Sequence, residues 1–230
     1  MRLSERLETV LDLMPGCGRV IDVGTDHGYI PIEAVRRGKA LRAIASDIGR
    51  GPLMRAVANV SAASLEDKIS FAEADGIPGT ELSESDVLVI TGMGGPLIER
   101  ILTDASGRLK TGMTLLLSPQ SDQPQFRRFL VRSGYLVTAE GCASDGGKYY
   151  FVIRAVLGTG HAKPWRPFEY SYGRKELFAG GYTEKRKDLI LRDLKCFGSI
   201  LERLPADADA RRDEILALMS LARQALTEYN

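Results

Sequence analysis

Four short segments of the chain carry the residue types that hold a nucleoside. The first is Asp22-Val23-Gly24-Thr25-Asp26-His27-Gly28, an acid and two glycines running on from the apolar pair Val20-Ile21. A glycine leaving a strand lets the backbone approach a ligand closely. The spacing Asp22-x-Gly24-x-x-x-Gly28 departs from the dinucleotide fingerprint G-x-G-x-x-G, whose turn cradles a pyrophosphate. A ligand without a pyrophosphate needs no such cradle. The second segment, Ser46-Asp47-Ile48, puts an acid where both ribose hydroxyls can be accepted. The third, Glu73-Ala74-Asp75-Gly76, offers an acid for the exocyclic amine of a base. The fourth, Thr91-Gly92-Met93-Gly94-Gly95, suits a narrow cleft lined by backbone. Each segment alone has a plainer reading as a turn or a helix cap. Three acid-and-glycine turns in register after three consecutive strands favour an adenosine-bearing methyl donor, S-adenosylmethionine.

The elements that must position these segments alternate. Short apolar runs at Arg19–Val23, Leu41–Ser46, Ile69–Ala72, Val87–Thr91 and Met113–Leu117 read as strands. Helical patterns fall at Ile30–Arg37, Pro52–Ala63, Pro96–Leu102 and Gln125–Ser133, after an opening amphipathic helix that ends at Pro15-Gly16. Near-continuous apolarity in Val87–Thr91 fits a parallel strand covered on both faces. Two last strands, near Leu136–Glu140 and Tyr149–Ala155, flank the turn-rich Ser144-Asp145-Gly146-Gly147. The expectation is an α/β, Rossmann-like fold: a seven-stranded, mostly parallel sheet with an antiparallel last strand. This domain spans 1–158. Gly158-Thr159-Gly160 and Pro164-Trp165-Arg166-Pro167 read as a linker. Beyond it, Ile190, Leu194, Phe197, Leu201 and Leu204, then Ile215, Met219, Ala222, Leu226 and Tyr229, step by three and four. They predict a C-terminal helical hairpin, a second domain over 168–230.

Composition narrows the function classes. The chain has 230 residues, 44% apolar and 27% charged, with a formal net charge of +1. Its balance is that of a soluble globular protein, and whole-chain charge is silent on nucleic acid. Cys17, Cys142 and Cys196 lie far apart, and His27 and His161 are the two histidines. Neither a disulfide framework nor a metal site is expected. No signal-peptide pattern and no membrane-length apolar run is visible, so a cytoplasmic protein is expected.

The ordered motifs resemble those of the bacterial TrmK family, tRNA adenine-N1 methyltransferases acting at position 22. Arg6-Leu7 opens the first helix. Asp22-Val23-Gly24-Thr25-Asp26-His27-Gly28-Tyr29-Ile30-Pro31 looks like the family's D-I-G-S-D-H-A-Y-L-P. Ala43–Asp47 with Gly51-Pro52, Asp75-Gly76, Gly92-Met93-Gly94-Gly95 with Leu97-Ile98, and Lys148-Tyr149-Tyr150 follow in order. Asp47 stands where the family usually has Glu, Leu117-Ser118-Pro119-Gln120 stands for L-Q-P-N, and Tyr150 replaces a common Glu. The resemblance implies S-adenosylmethionine as cofactor and tRNA as partner, with a monomer or weak homodimer and no metal. It implies Asp26 as the catalytic carboxylate and Asp22, Gly24, Asp47, Ile48, Asp75, Gly76, Thr91, Gly92 and Met93 as cofactor-binding residues. Tyr29, Pro119 and Gln120 would hold the target base. His27 reads as a loop-fixing hydrogen-bond partner rather than a base.

Alternatives remain at this level. A dehydrogenase, a methyltransferase of small molecules or proteins, and a non-catalytic RNA-binding relative share the fold class. Residues 163–192 carry Lys163, Arg166, Arg174, Lys175, Lys185, Arg186, Lys187 and Arg192 against four acids. Arg36, Arg37, Lys39 and Arg42 form a second basic group. Either group is a candidate for phosphate contacts.

Overall fold

The computed structural model describes residues 3–158, 163–178 and 182–229. His161 and the Thr159-Gly160 part of the expected linker lie outside them. The chain divides into two compact units, Met1–Ala162 and Lys163–Asn230.

The first unit is built on seven strands: β1 (Cys17–Val23), β2 (Ala40–Asp47), β3 (Ile69–Glu73), β4 (Asp86–Thr91), β5 (Thr114–Ser118), β6 (Tyr135–Asp145) and β7 (Lys148–Leu157). Their order in the sheet is β3-β2-β1-β4-β5-β7-β6. β1 pairs in parallel with β2 and with β4. β7 runs antiparallel to both β5 and β6 and so enters the sheet between them. Five helices connect and cover the strands: α1 (Glu5–Leu13), α2 (Tyr29–Arg36), α3 (Arg50–Ala62), α4 (Gly95–Asp104) and α5 (Gln123–Arg132).

Local chemistry explains the boundaries. The Ser4 hydroxyl caps α1, with Glu5 and Glu8 in its first turn where the helix dipole favours anions. Val10 and Leu11 of that helix are fully buried, and α1 packs on β6 and β7. Pro96 and Pro124 sit in the first turns of α4 and α5, where a missing N–H costs nothing. β4 is buried at every residue, as the apolar run Val87–Thr91 requires. The expected alternation breaks once. Residues 74–85 join β3 to β4 without a helix. Gly76, Pro78 and Gly79 crowd that stretch and remove any helical repeat.

The second unit holds α6 (Pro167–Tyr172), a 3₁₀ turn at Lys175–Leu177, α7 (Tyr182–Arg203) and α8 (Asp209–Tyr229). α7 and α8 pack along each other as a hairpin. Ile190, Ile215, Ala222 and Tyr229 are its buried seam, with Leu194, Phe197 and Leu201 half-buried. The Tyr229 hydroxyl donates to the Tyr172 and Gly173 carbonyls at 3.2 and 3.1 Å and so pins the end of α8.

Two expectations need correction. Pro164–Pro167 is more than a linker: Pro167 starts α6, and the Glu169 carboxylate accepts the Arg166 N–H at 2.7 Å. Arg186 and Arg174 are interior. Arg186 is 0% exposed beneath the Phe178 ring, and Arg174 bonds Glu169 at 3.2 Å. Arg36 and Arg37 are paired with Glu33, and Arg37 also with Glu8. A tally of charges along the chain cannot tell which helix face each occupies.

The fold also buries an ion pair of the sheet domain completely. Arg127 of α5 donates to Glu140 of β6 at 2.6 Å, both 0% exposed, with the guanidinium 5.1 Å from the Phe151 ring centre. Removing one partner strands the other in a low-dielectric interior. Glu140→Leu is therefore expected to cost about 3 kcal/mol or more in denaturant melts. The double variant Arg127→Met/Glu140→Leu should recover most of that loss. A double variant no more stable than Glu140→Leu would show that the pair is not the stabilising unit.

Candidate active site

The sheet order reverses between β1 and β4, and ligands of such sheets bind at the carboxyl ends of the strands flanking that point. A cavity of about 670 Å³ opens there. It is lined by Asp22, Gly24, Thr25, Asp26, His27, Tyr29 and Ile30 after β1, and by Asp47 at the end of β2. Thr91, Gly92 and Met93 line it from the end of β4, and Gln120 beyond β5.

The loop after β1 is wound tightly. Gly24, Asp26 and Gly28 all have positive φ, at 76°, 48° and 71°. Glycine takes that conformation freely, whereas for Asp26 it costs roughly 1 kcal/mol. The Gly24 and Thr25 N–H groups both donate to the Ser46 carbonyl, at 2.8 and 2.9 Å, which ties the loop to β2. From α3, one turn apart, Arg55 and Asn59 reach the same loop. Arg55 bonds one Asp26 carboxylate oxygen, and the Asn59 amide donates to the His27 carbonyl at 2.9 Å. The other Asp26 oxygen lies 3.4 Å from His27 Nε2. The His27 ring stacks on Tyr29, centroids 5.1 Å apart. His27 thus makes its contacts within the loop.

Two further loops are stitched together. The Gln120 N–H donates to the Met93 carbonyl at 2.9 Å. A Cβ on Gly95 would stand 2.9 Å from the Ser121 carbonyl oxygen, so only glycine allows this approach. A Cβ on Gly24 would fall 2.3 Å from Met93 Cε, which lays that side chain across the first loop.

Asp22 is the electrostatic centre. It is 3% exposed, and burial raises its pKa to about 7. The Thr25 hydroxyl, donating at 2.7 Å, opposes the rise, and nearby Asp47 adds to it. Asp47 itself accepts the Gly49 N–H at 2.8 Å.

Not every expected residue gathers here. Ile48 is 67% exposed and does not line the cavity. Asp75 bonds Arg100 at 2.8 Å, and this cation holds its carboxyl below the usual range. With Gly76 it borders a separate shallow groove against α4. Pro119 is buried, its carbonyl accepting from the Gln123 amide. Sequence reasoning missed Arg55 and Asn59 behind the loop, and Asp145 and Arg6 in the lining. Arg55 and Asn59 share a helix face, the one signal that could have paired them. Among the described residues no cluster of three His, Cys, Asp or Glu could hold a metal ion, and no helix is long and apolar enough to cross a membrane.

The folded protein holds the Asp22 proton to about pH 7, whereas the ordinary aspartate value, 3.8, applies to the unfolded chain. Between those values the folded form binds more protons. Stability is therefore expected to fall as pH rises through that window, by up to about 1.4 kcal/mol for each tenfold drop in proton concentration. Asp22→Asn should flatten the slope. Denaturant midpoints from pH 4 to 8 measure it, and parallel curves for the two proteins would show that Asp22 holds no such proton.

A methyltransferase-domain family model matches residues 3–153. A tRNA (adenine(22)-N(1))-methyltransferase of Bacillus subtilis is 31% identical over 219 residues, covering 93% of this chain and 90% of that protein. A Streptococcus pneumoniae structure, a candidate tRNA (m1A22) methyltransferase bound to S-adenosyl-L-methionine, is 29% identical with a TM-score of 0.81, over 98% of this chain and 100% of that one. TrmK of M. capricolum, bound to S-adenosyl-homocysteine, is 23% identical with a TM-score of 0.86 over the full length of both chains, a likeness of fold.

Proposed function

The chain belongs to the family of tRNA (adenine(22)-N(1))-methyltransferases, and we propose that it transfers the methyl group of S-adenosylmethionine to N1 of an adenine in tRNA, in the cytoplasm. One observation carries this reading. Asp22, Gly24, Asp26, Asp47 and Gly92, drawn from three strand ends, line one cavity of about 670 Å³. The donor set suits the cofactor: carboxylates for ribose hydroxyls and an ammonium, and glycine backbone where a side chain would fill the cradle. When bound, S-adenosylmethionine supplies an electrophilic methyl group on a sulfonium, and the adenine N1 lone pair is nucleophilic enough to receive it without a strong base.

The chain's own residues do the rest. Asp47 accepts from the ribose, and Asp22 balances the cationic end of the cofactor. Asp26 stands at the mouth of the cavity, with its side chain 55% exposed. Its carboxylate accepts a hydrogen bond from the exocyclic amine of the target base and takes the proton that the amine sheds as positive charge develops on the ring. Arg55 and His27 hold that carboxylate in place. The Tyr29 ring offers a stacking face, and the Gln120 amide can read an edge of the base, once the nucleotide has swung out of its stack. Met93 and Thr91 close the floor. Ile48, Asp75, Gly76 and Pro119, expected at this site, have no part in this reading.

Labelled methyl transfer to tRNA lacking the modification, followed by nucleoside digestion, should yield 1-methyladenosine. Asp26→Asn should lower kcat about a hundredfold or more while cofactor affinity stays near wild type. Near-normal turnover by that variant would remove the proposed role of Asp26. Label in a different nucleoside would overturn the target.

A further inference from the structure

The cavity has a side that the cofactor leaves open. In the reading above, S-adenosylmethionine spans the loops after β2, β1 and β4. The next strands across the sheet are β5, β7 and β6. Gln120, just past β5, and Asp145, the last residue of β6, line the cavity from there. That side is free for the base that receives the methyl group.

Asp145 is held at this rim by its backbone. Two residues, Gly146 and Gly147, join β6 to β7, with φ of 55° and 75°. Positive φ at both central positions is the pattern of a type I′ hairpin turn, which fixes the register of the flanking pair. The preceding Ser144 N–H donates to the Glu5 carboxylate of α1 at 3.3 Å and ties down the end of β6. Lys148 is the cross-strand partner of Asp145. Opposite charges so placed attract one another, yet the two side chains form no ion pair. Among the described residues the Asp145 carboxylate has no hydrogen-bond or ion-pair partner. The other three carboxylates of the cavity are engaged: Asp22 by Thr25, Asp26 by Arg55 and Asp47 by the Gly49 N–H. Asp145 keeps its acceptor sites for a ligand.

The reaction offers it a donor. As the bond from adenine N1 to the methyl carbon forms, the carbon–sulfur bond breaks and its electron pair stays on sulfur. Positive charge passes to the adenine ring and is shared by the exocyclic amine. Hydrogen bonds from that amine to carboxylates therefore strengthen on the way to the transition state. The amine has two hydrogens. Asp26 receives the one beside N1, and the other points along the N7 edge of the base.

We propose that Asp145 accepts this second amine hydrogen of the target adenine and stabilises the charge that methylation places on the ring. Asp145 takes no proton, a task that stays with Asp26. The Gln120 amide, beside it on the same side of the cavity, is the matching donor for N7. The proposal deepens the base-binding part of the reading above and rests on it. It gives the β6–β7 turn a direct part in the chemistry.

Single-turnover methyl transfer to tRNA, at saturating cofactor and tRNA, tests it. Asn is nearly isosteric with Asp and keeps the turn. Asp145→Asn should slow transfer roughly ten- to hundredfold, with S-adenosylhomocysteine affinity and melting temperature unchanged. Asp145→Glu, which restores the carboxylate one methylene further out, should recover part of the rate. An unchanged rate in Asp145→Asn would overturn the proposal. So would a parallel loss of S-adenosylhomocysteine affinity, which would assign Asp145 to the cofactor. Weaker tRNA binding with an unchanged saturated rate would place it in RNA binding and overturn the proposal too, as would a Glu variant as slow as the Asn variant. Wild-type protein that methylates no adenine of tRNA would overturn the functional reading and the proposal with it. Active wild type with an equally active Asp145→Asn would overturn the proposal alone.

Discussion

The position of β1 between β2 and β4 is the constraint on which the rest of the molecule depends. Val23 pairs with Ser46 on one side and Ile90 on the other. That register brings Gly24, Asp47 and Gly92 to the same height, one residue or two beyond the last pairs. A slip by one residue would exchange the side chains that face the two helical layers, and the close packing of each layer is built on the present set. The ends of three strands are thereby locked together, and so are the loops that leave them. Two N–H groups of the first loop then donate to the Ser46 carbonyl, which fastens that loop to the neighbouring strand rather than to itself.

From that arrangement follows the electrostatics. A sheet of this kind gathers loops with acids at their bases, and here four carboxylates share one cavity. Their repulsion is managed by location. Asp22, driven inward, keeps its proton to about pH 7. Asp26, at the mouth, is held by Arg55. Asp47 leans on the Gly49 amide. A cationic ligand end would release the strain on Asp22 by favouring its charged form. Opposite charges elsewhere in the fold are spent differently. Arg127 and Glu140 neutralise each other in the core, and Arg37 is engaged by Glu8 and Glu33. The cations that remain exposed are fewer than the sequence suggests.

Much of this was legible in the residues alone. The apolar runs predicted all seven strands within a few positions, because a strand covered on both faces leaves little room for polar residues. Glycine and proline marked the turns. Asp22, Gly24, Asp47, Thr91, Gly92 and Met93 were singled out at the ends of readable strands and all line the cavity, as do Asp26, Tyr29 and Gln120, whose roles the family resemblance implied. Asp75 was singled out on the same ground and does not join them. Its strand end is in place, yet Arg100, a helix away, takes its carboxylate.

What the sequence determined by itself was local and periodic: strand and helix extents, the turn chemistry, and hence the acids at the strand ends. What only the tertiary structure decided was partnership. That Arg55 and Asn59 hold the loop at Asp26 and His27, that Arg6 faces Gly92 and Tyr150, and that Arg186 is interior are facts of packing between segments distant along the chain. A long flexible side chain has many rotamers and no periodic signal. Its partner is set by which surfaces the core brings within reach.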